Sequence, residues 1–176
     1  MFLSSFESIV DVKKRVSIPA PFRKALNGDD SVFLWPSLDK PCLEGGGMAL
    51  VRKFQRAISR LKPLDPRREA LAASIFGQGR YARFDEGGRI VLEADLITHA
   101  GISENVRFVG LGDRFQIWAP ARHEPRLAEL RKVALDSADL LDAFEDEPEP
   151  PHTEQRPDQR PEPRPEQRPE QRKGFE

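Results

Sequence analysis

Apolar positions along this chain follow two periods, and the switches between them outline its elements. In Arg114–Ala119, the residues Phe115, Ile117 and Ala119 alternate with Gln116 and Trp118, the two-residue period of a strand, with Trp118 the larger exception. Leu50, Phe54, Ile58 and Leu61 instead recur every three or four residues, which is one face of an amphipathic helix. Asp65-Pro66 reads as an N-cap followed by a first-turn proline, opening a second helix that runs to about Phe76. After Pro120 a third helix carries Leu127, Leu130, Ala134, Ala138 and Leu141 on one stripe. Such stripes must cover something, either the sheets of the same chain or another subunit.

The chain also repeats itself. An offset of 74 residues lays Asp11–Arg15 over Asp85–Arg89, Ile18 over Leu92, Phe22 over Leu96 and Val32 over Val106. The matched segments, DVKKRVSIPAPFRKAL and DEGGRIVLEADLITHA, share one plan: a polar link closed by Arg, an apolar run, then a short helix. A pair of strands follows each, SVFLW with CLE in the first copy and NVRFVG with RFQIWA in the second. Gly87 and Gly88 supply positions able to take positive φ in the second turn, where the first has Lys13 and Lys14. If the position of Lys14 is left-handed, lysine costs roughly 1–2 kcal/mol there. Leu111-Gly112-Asp113-Arg114 has the form of a tight hairpin.

These elements describe an α+β chain. Module 1 spans 5–51, a helical connector 52–78, module 2 80–123, a C-terminal helix 124–144 and a tail 145–176. The tail holds eight of the sixteen prolines and repeats Gln-Arg-Pro-Glu-like units from Gln155 to Glu170. With almost no apolar side chains it cannot repay its ordering entropy, so disorder with polyproline II character is expected, as a spacer or as a ligand for a partner.

Composition narrows the classes. About a third of the residues are charged, and no apolar run approaches the roughly 20 residues that span a membrane. The single cysteine, Cys42, allows no intrachain disulfide and reads as a small core residue. The N-terminus has neither a basic leader nor an apolar core, so a cytoplasmic location is expected. Net charge is −1, but the tail contributes −4 of it. Positive charge concentrates between Asp11 and Lys24, where Lys13, Lys14, Arg15, Arg23 and Lys24 face one acid.

Enzyme signatures are missing from the sequence. His99, His123 and His152 have no metal-ligand spacing with Cys42, and there is no nucleophile elbow or P-loop. Gly45-Gly46-Gly47 reads as a flexible strand-to-helix link. No cofactor, metal or small-molecule substrate is expected.

The paired Asp-x-x-x-Arg turns, each followed by a strand and a short helix, resemble the MraZ family, bacterial proteins with two SpoVT-AbrB-type modules in one chain. SLDKPCLEGGG and AGISENVRFVGLGDRFQIW are similar to its alphaproteobacterial branch. The resemblance covers about residues 1–140. It implies two swapped-hairpin AbrB-like β modules forming a pseudo-dimeric β-barrel and assembly into a homo-oligomeric ring. It further implies a nucleoid-associated regulator that binds promoter direct repeats upstream of its own division and cell-wall operon. The chain departs from the family twice: Lys13-Lys14-Arg15 replaces Lys-Gly-Arg, and Glu93 replaces the proline that stands as Pro19 in the first copy. Glu93 puts an acid where phosphate would pass, which leaves open whether module 2 touches DNA itself.

A two-stranded ribbon or its turn fits the major groove, about 12 Å wide. Arg15 can hold guanine O6 and N7, or a phosphate, with its planar fork. Lys13 and Lys14 suit phosphates, and Arg89 is the second-copy counterpart of Arg15. Asp11 and Asp85, with Gly87 and Gly88, are expected to structure the turns rather than touch double-stranded DNA; an internal Asp–Arg ion pair is the competing reading for each Arg. Two other functions remain open. One is an AbrB-type antitoxin, for which a neighbouring toxin gene would argue. The other is an assembly or adaptor protein without DNA affinity.

Overall fold

A computed structural model describes residues 1–142; the proline-rich tail expected at 145–176 lies outside the described residues. The elements run β1 (Ser5–Ile9), β2 (Arg15–Ser17), α1 (Ala20–Ala25), β3 (Ser31–Pro36), β4 (Leu43–Gly46), α2 (Met48–Ser59) and α3 (Pro66–Ala72). The second half follows with β5 (Arg80–Arg83), β6 (Arg89–Val91), α4 (Ala94–Ala100), β7 (Asn105–Gly110), β8 (Phe115–Trp118), α5 (Pro120–Asp136) and α6 (Asp139–Asp142). The chain is α+β.

Six strands form one antiparallel sheet in the order β1-β7-β8-β4-β3-β5, and β2 pairs with β6 in a separate ribbon. Advancing each first-copy strand by the repeat turns the sheet order into its own reverse. Each copy therefore gives its first strand to the other: β1 pairs with β7 and β5 with β3. The match extends to single hydrogen bonds. Val10 N–H donates to Glu104 O (2.7 Å) as Phe84 N–H donates to Asp30 O (2.9 Å). Met1–Asp136 consequently forms one compact unit rather than two separate modules.

Alternation along the strands fills two cores. Val32 and Leu34 of β3, Val106 and Phe108 of β7, and Phe115 and Ile117 of β8 share the main core with Ile18, Phe22, Leu92 and Leu96. Phe22, the anchor of α1, meets Phe2, Phe6, Phe108 and Phe115 with ring centroids 5.2–6.2 Å apart. Fully burying each such side chain contributes about 1.5–3 kcal/mol. The other face of β3 presents Phe33 and Trp35 to the stripe of α2, where Leu50 and Ile58 are buried and Phe54 meets Trp35 edge-on at 5.4 Å. That stripe covers the chain's own sheet. Asp65 caps α3 by accepting from Arg67 N–H, and a π-helical turn over Ala73–Gly77 continues the helix.

Three expectations change. Gln116 does not face solvent: it is buried with Trp118, the exception to the alternation, whose indole donates its N–H to Gln116 Oε1 at 2.9 Å and carries His123 of α5 packed on it. The alternation was real, but α5 folds back over the second face. Gly45 and Gly46 are strand residues in β4, and only Gly47 links to α2. A side chain at Gly45 would collide with Phe115 and Leu34, so the glycine is needed for packing, not for flexibility. The third helix also starts earlier than expected and ends at Asp136, leaving Ala138 and Leu141 off its stripe. Within α5, Leu127, Leu130 and Val133 stay exposed. Cys42 is buried, and burial followed by the nearby Glu44 charge pushes its thiol up to about 12, so it stays protonated at neutral pH.

Candidate nucleic-acid interface

The two Asp-x-x-x-Arg turns are superimposable at the level of their hydrogen bonds. In the first, Asp11 N–H donates to Arg15 O and Lys14 N–H to Asp11 O, at 2.9 and 2.8 Å. Asp11 Oδ1 accepts from Lys13 N–H and Arg15 N–H, each at 2.9 Å, while Oδ2 accepts from Arg15 Nε at 2.8 Å. In the second, Asp85 N–H donates to Arg89 O and Gly88 N–H to Asp85 O, at 2.8 and 2.9 Å. Asp85 Oδ1 accepts from Gly87 N–H and Arg89 N–H, and Oδ2 from Arg89 Nε, at 2.9, 2.9 and 2.8 Å. One short carboxylate thus closes each turn and grips the arginine behind it. The backbone N–H of Arg15, then its side chain and the backbone N–H of Lys13, hold the Asp11 carboxyl below the usual carboxylate range. Asp85 is lowered in the same way, Arg89 N–H first.

The fourth residue of each turn is left-handed, Lys14 at φ 59° and Gly88 at φ 72°. Gly87 is not left-handed, contrary to expectation; only one such position is needed, because Asp85 Oδ1 already fixes Gly87 N–H. The left-handed backbone aims each carbonyl at the other copy. Leu92 N–H donates to Lys14 O at 2.9 Å, and Ile18 N–H to Gly88 O at 3.2 Å. Between these stitches Arg15, Val16 and Ser17 pair with Val91, Ile90 and Arg89. Val16 and Ile90 point into the core, which fixes the ribbon from beneath.

Charge is distributed unevenly over this symmetric frame. Val12, Lys13 and Lys14 are exposed at the first turn, whereas the second offers Glu86 and two glycines. Arg15 is about one-third exposed, and its free Nη1 lies 4.0 Å from Asp85 Oδ2. Asp11 occupies the side edge of the guanidinium formed by Nε and Nη2. The outward N–H groups of both Nη atoms remain, so the fork can still take a bidentate acceptor end-on. Glu93 stands at the N-cap position of α4 without a side-chain capping bond and pairs with Arg80 (Nε to Oε2, 2.8 Å), which also reaches Asp95 at 3.0 Å. One cation against two acids leaves this corner of the second module with a net negative charge.

Arg23 is the residue that reading along the sequence did not single out. It stands in the basic cluster, yet nothing in one dimension sets it against a turn 65 residues away. In the fold its guanidinium occupies the space above Gly88 where a side chain would begin. The bare glycine was the only available signal.

The family described as "MraZ protein, putative antitoxin-like" matches residues 75–142, the second turn included. A "Transcriptional regulator MraZ" of Azorhizobium caulinodans is 44% identical over 133 residues, covering 74% of this chain and 85% of its own. Its namesake in Caulobacter vibrioides is 40% identical over 144 residues, 81% of this chain and 92% of that one. Another, from Methylocella silvestris, is 37% identical over 152 residues, 85% and 93% of the two chains. At that identity, over most of this chain and most of each relative, this chain belongs to the MraZ family.

Proposed function

We propose that the chain is a sequence-specific DNA-binding regulator of transcription, acting through the turn at Lys13–Arg15. The observation that carries this reading is the turn itself: Lys13 and Lys14 project into solvent beside an arginine whose orientation Asp11 fixes. Lys13 and Lys14 meet phosphates, and Arg15 meets a base edge or phosphate in the major groove. Arg89 is presented about two residue steps away along the ribbon, roughly 7 Å, so one groove accommodates both turns. The relatives' printed name, transcriptional regulator, supports the same role.

The reciprocal strand exchange supports reading the two AbrB-like modules as one swapped-hairpin, pseudo-dimeric barrel. The exposed Leu127, Leu130 and Val133 of α5 support self-association into a ring. Several turns meeting evenly spaced direct repeats would multiply a weak single contact by about 10²–10⁴. In this reading the protein acts at the nucleoid on repeats upstream of its own division and cell-wall operon. Anisotropy titration of duplex DNA from upstream of its own gene tests it. Arg15→Ala should cost on the order of 1–3 kcal/mol and relax base preference if Arg15 reads guanine. Equal binding by wild type and variant removes the assignment.

A further inference from the structure

The second turn has no cation ahead of Arg89. Where the first has Val12, Lys13 and Lys14, the second has Glu86, Gly87 and Gly88. Yet α1 of the first copy leans across the ribbon and delivers one. Ile18, just after β2, is bonded to Gly88 O, and Arg23 is the fourth residue of α1, about one helical turn in. A Cβ built on Gly88 would overlap Arg23 Nη1 and Cζ outright, and would stand 3.0 Å from its Cδ. The guanidinium therefore lies directly on the backbone of the turn. The reverse arrangement does not exist, because the repeat places Ile97 where α4 would need the matching arginine.

Arg23 is half-buried, and among the described residues no acid or carbonyl pairs with it. Among the other half-buried arginines of the described residues, Arg15, Arg80, Arg89, Arg107, Arg114 and Arg126 each have a carboxylate within 4.0 Å, and Arg68 shares the lack of one with Arg23. An unpaired guanidinium beside a left-handed glycine, next to Arg89, is built to accept an anion from outside. Gly88 is buried beneath the guanidinium with its N–H bonded to Asp85 O, so the phosphate contact falls to the N–H groups of Arg23, which the absent side chain of Gly88 lets lie flat on the turn.

We propose that Arg23 is a DNA phosphate contact supplied by the first copy to the turn of the second, so that the second turn binds the duplex backbone with a borrowed cation. This rests on the DNA-binding reading above and assigns the second module its part in it. Arg23 fixes register on the backbone and carries no base information. Asymmetry follows: one end of the ribbon has its cations in the turn, the other has one held over it.

The test is a salt series of anisotropy titrations on the full chain, using the same duplex, with wild type, Arg15→Ala, Arg23→Gln and Arg23→Lys. Glutamine keeps the stem but loses the charge. Arg23→Gln should bind roughly fivefold to tenfold more weakly near 0.1 M salt, with a log–log salt slope smaller by about 0.9. Its base preference and thermal midpoint should match wild type, and Arg23→Lys should restore most of the slope. A wild-type slope in Arg23→Gln overturns the inference even where Arg15→Ala abolishes binding. So does a salt-independent loss accompanied by a lower midpoint and no rescue by lysine, since that marks a packing role. Failure of wild type itself to bind would instead overturn the DNA reading, and this inference with it.

Discussion

Lys14 and Gly88 occupy the same left-handed station in two copies of one turn, and each accepts a hydrogen bond from the other copy's strand. Glycine suits that backbone; lysine is strained by roughly 1–2 kcal/mol. The strain is tolerable where the side chain is useful. Lys14→Gly should therefore raise stability, by about 1 kcal/mol at most because glycine also gains freedom when unfolded. The same change should flatten the salt slope of DNA binding by about 0.9. Denaturant melts and anisotropy on one variant check both signs, and a variant that is less stable contradicts the argument.

Asp11 gives a prediction of unexpected direction. Removing an acid beside a DNA-binding surface ordinarily strengthens binding, since the phosphates no longer meet a like charge. Here the carboxylate also holds the arginine fork and the turn. Asp11→Asn should weaken binding, though by less than Arg15→Ala, because the amide oxygen still accepts the backbone N–H groups. The carboxyl of Asp11 should titrate below its ordinary 3.8. A lowered acid stabilises the fold above its unfolded value and loses that contribution as pH falls through the folded one. Carboxyl NMR shifts report it, and binding should not vary on this account above about pH 5.

Gly45 and Gly77 separate packing from propensity. A Cβ at Gly45 would stand 2.5 Å from Phe115 and 2.7 Å from Leu34, both in the main core. Gly45→Ala should cost about 1–3 kcal/mol by overpacking. Gly77 has nothing within 4 Å and no positive φ, so Gly77→Ala should be neutral or gain up to about 1 kcal/mol. Comparable losses in the two variants would mean that Gly45 in its strand acts, like Gly77 in its helical turn, through backbone freedom after all.

What could be read from the sequence was whatever the chain does locally and twice. The Asp-to-Arg spacing is legible because one carboxylate must reach two backbone N–H groups and a guanidinium four residues on. The stripe of α2 is legible because period sets its buried face. Which strand pairs with which is not, since β1 and β7 meet across nearly a hundred residues and nothing local in Ser5–Ile9 names its partner. The seat of Arg23 is hidden for the same reason. The burial of Gln116 is hidden too, because alternation identifies two faces but not how many of them are covered; Trp118, the exception to the pattern, was the hint.

The cover over Trp118 brings the last prediction. His123 is buried, its ring 5.5 Å from the indole and its Nδ1 3.5 Å from Arg107 Nη1. Burial, and then the positive Arg107, lower its pKa from the ordinary 6.5, with Glu124 opposing. The native state thus resists the proton that an unfolded histidine accepts. For a base lowered on folding, the unfolded chain binds more protons between the two values, so stability falls as pH drops below about 6.5 and levels off beneath the folded value. Urea midpoints should therefore decline between pH 7.5 and 5.5 in wild type. His123→Gln keeps a polar group against the indole without a titrating ring, and should remove most of that slope while His99 and His152 remain. Parallel curves for the two proteins would show that the proton is taken up elsewhere, and that α5 is held on the sheet by contacts indifferent to charge.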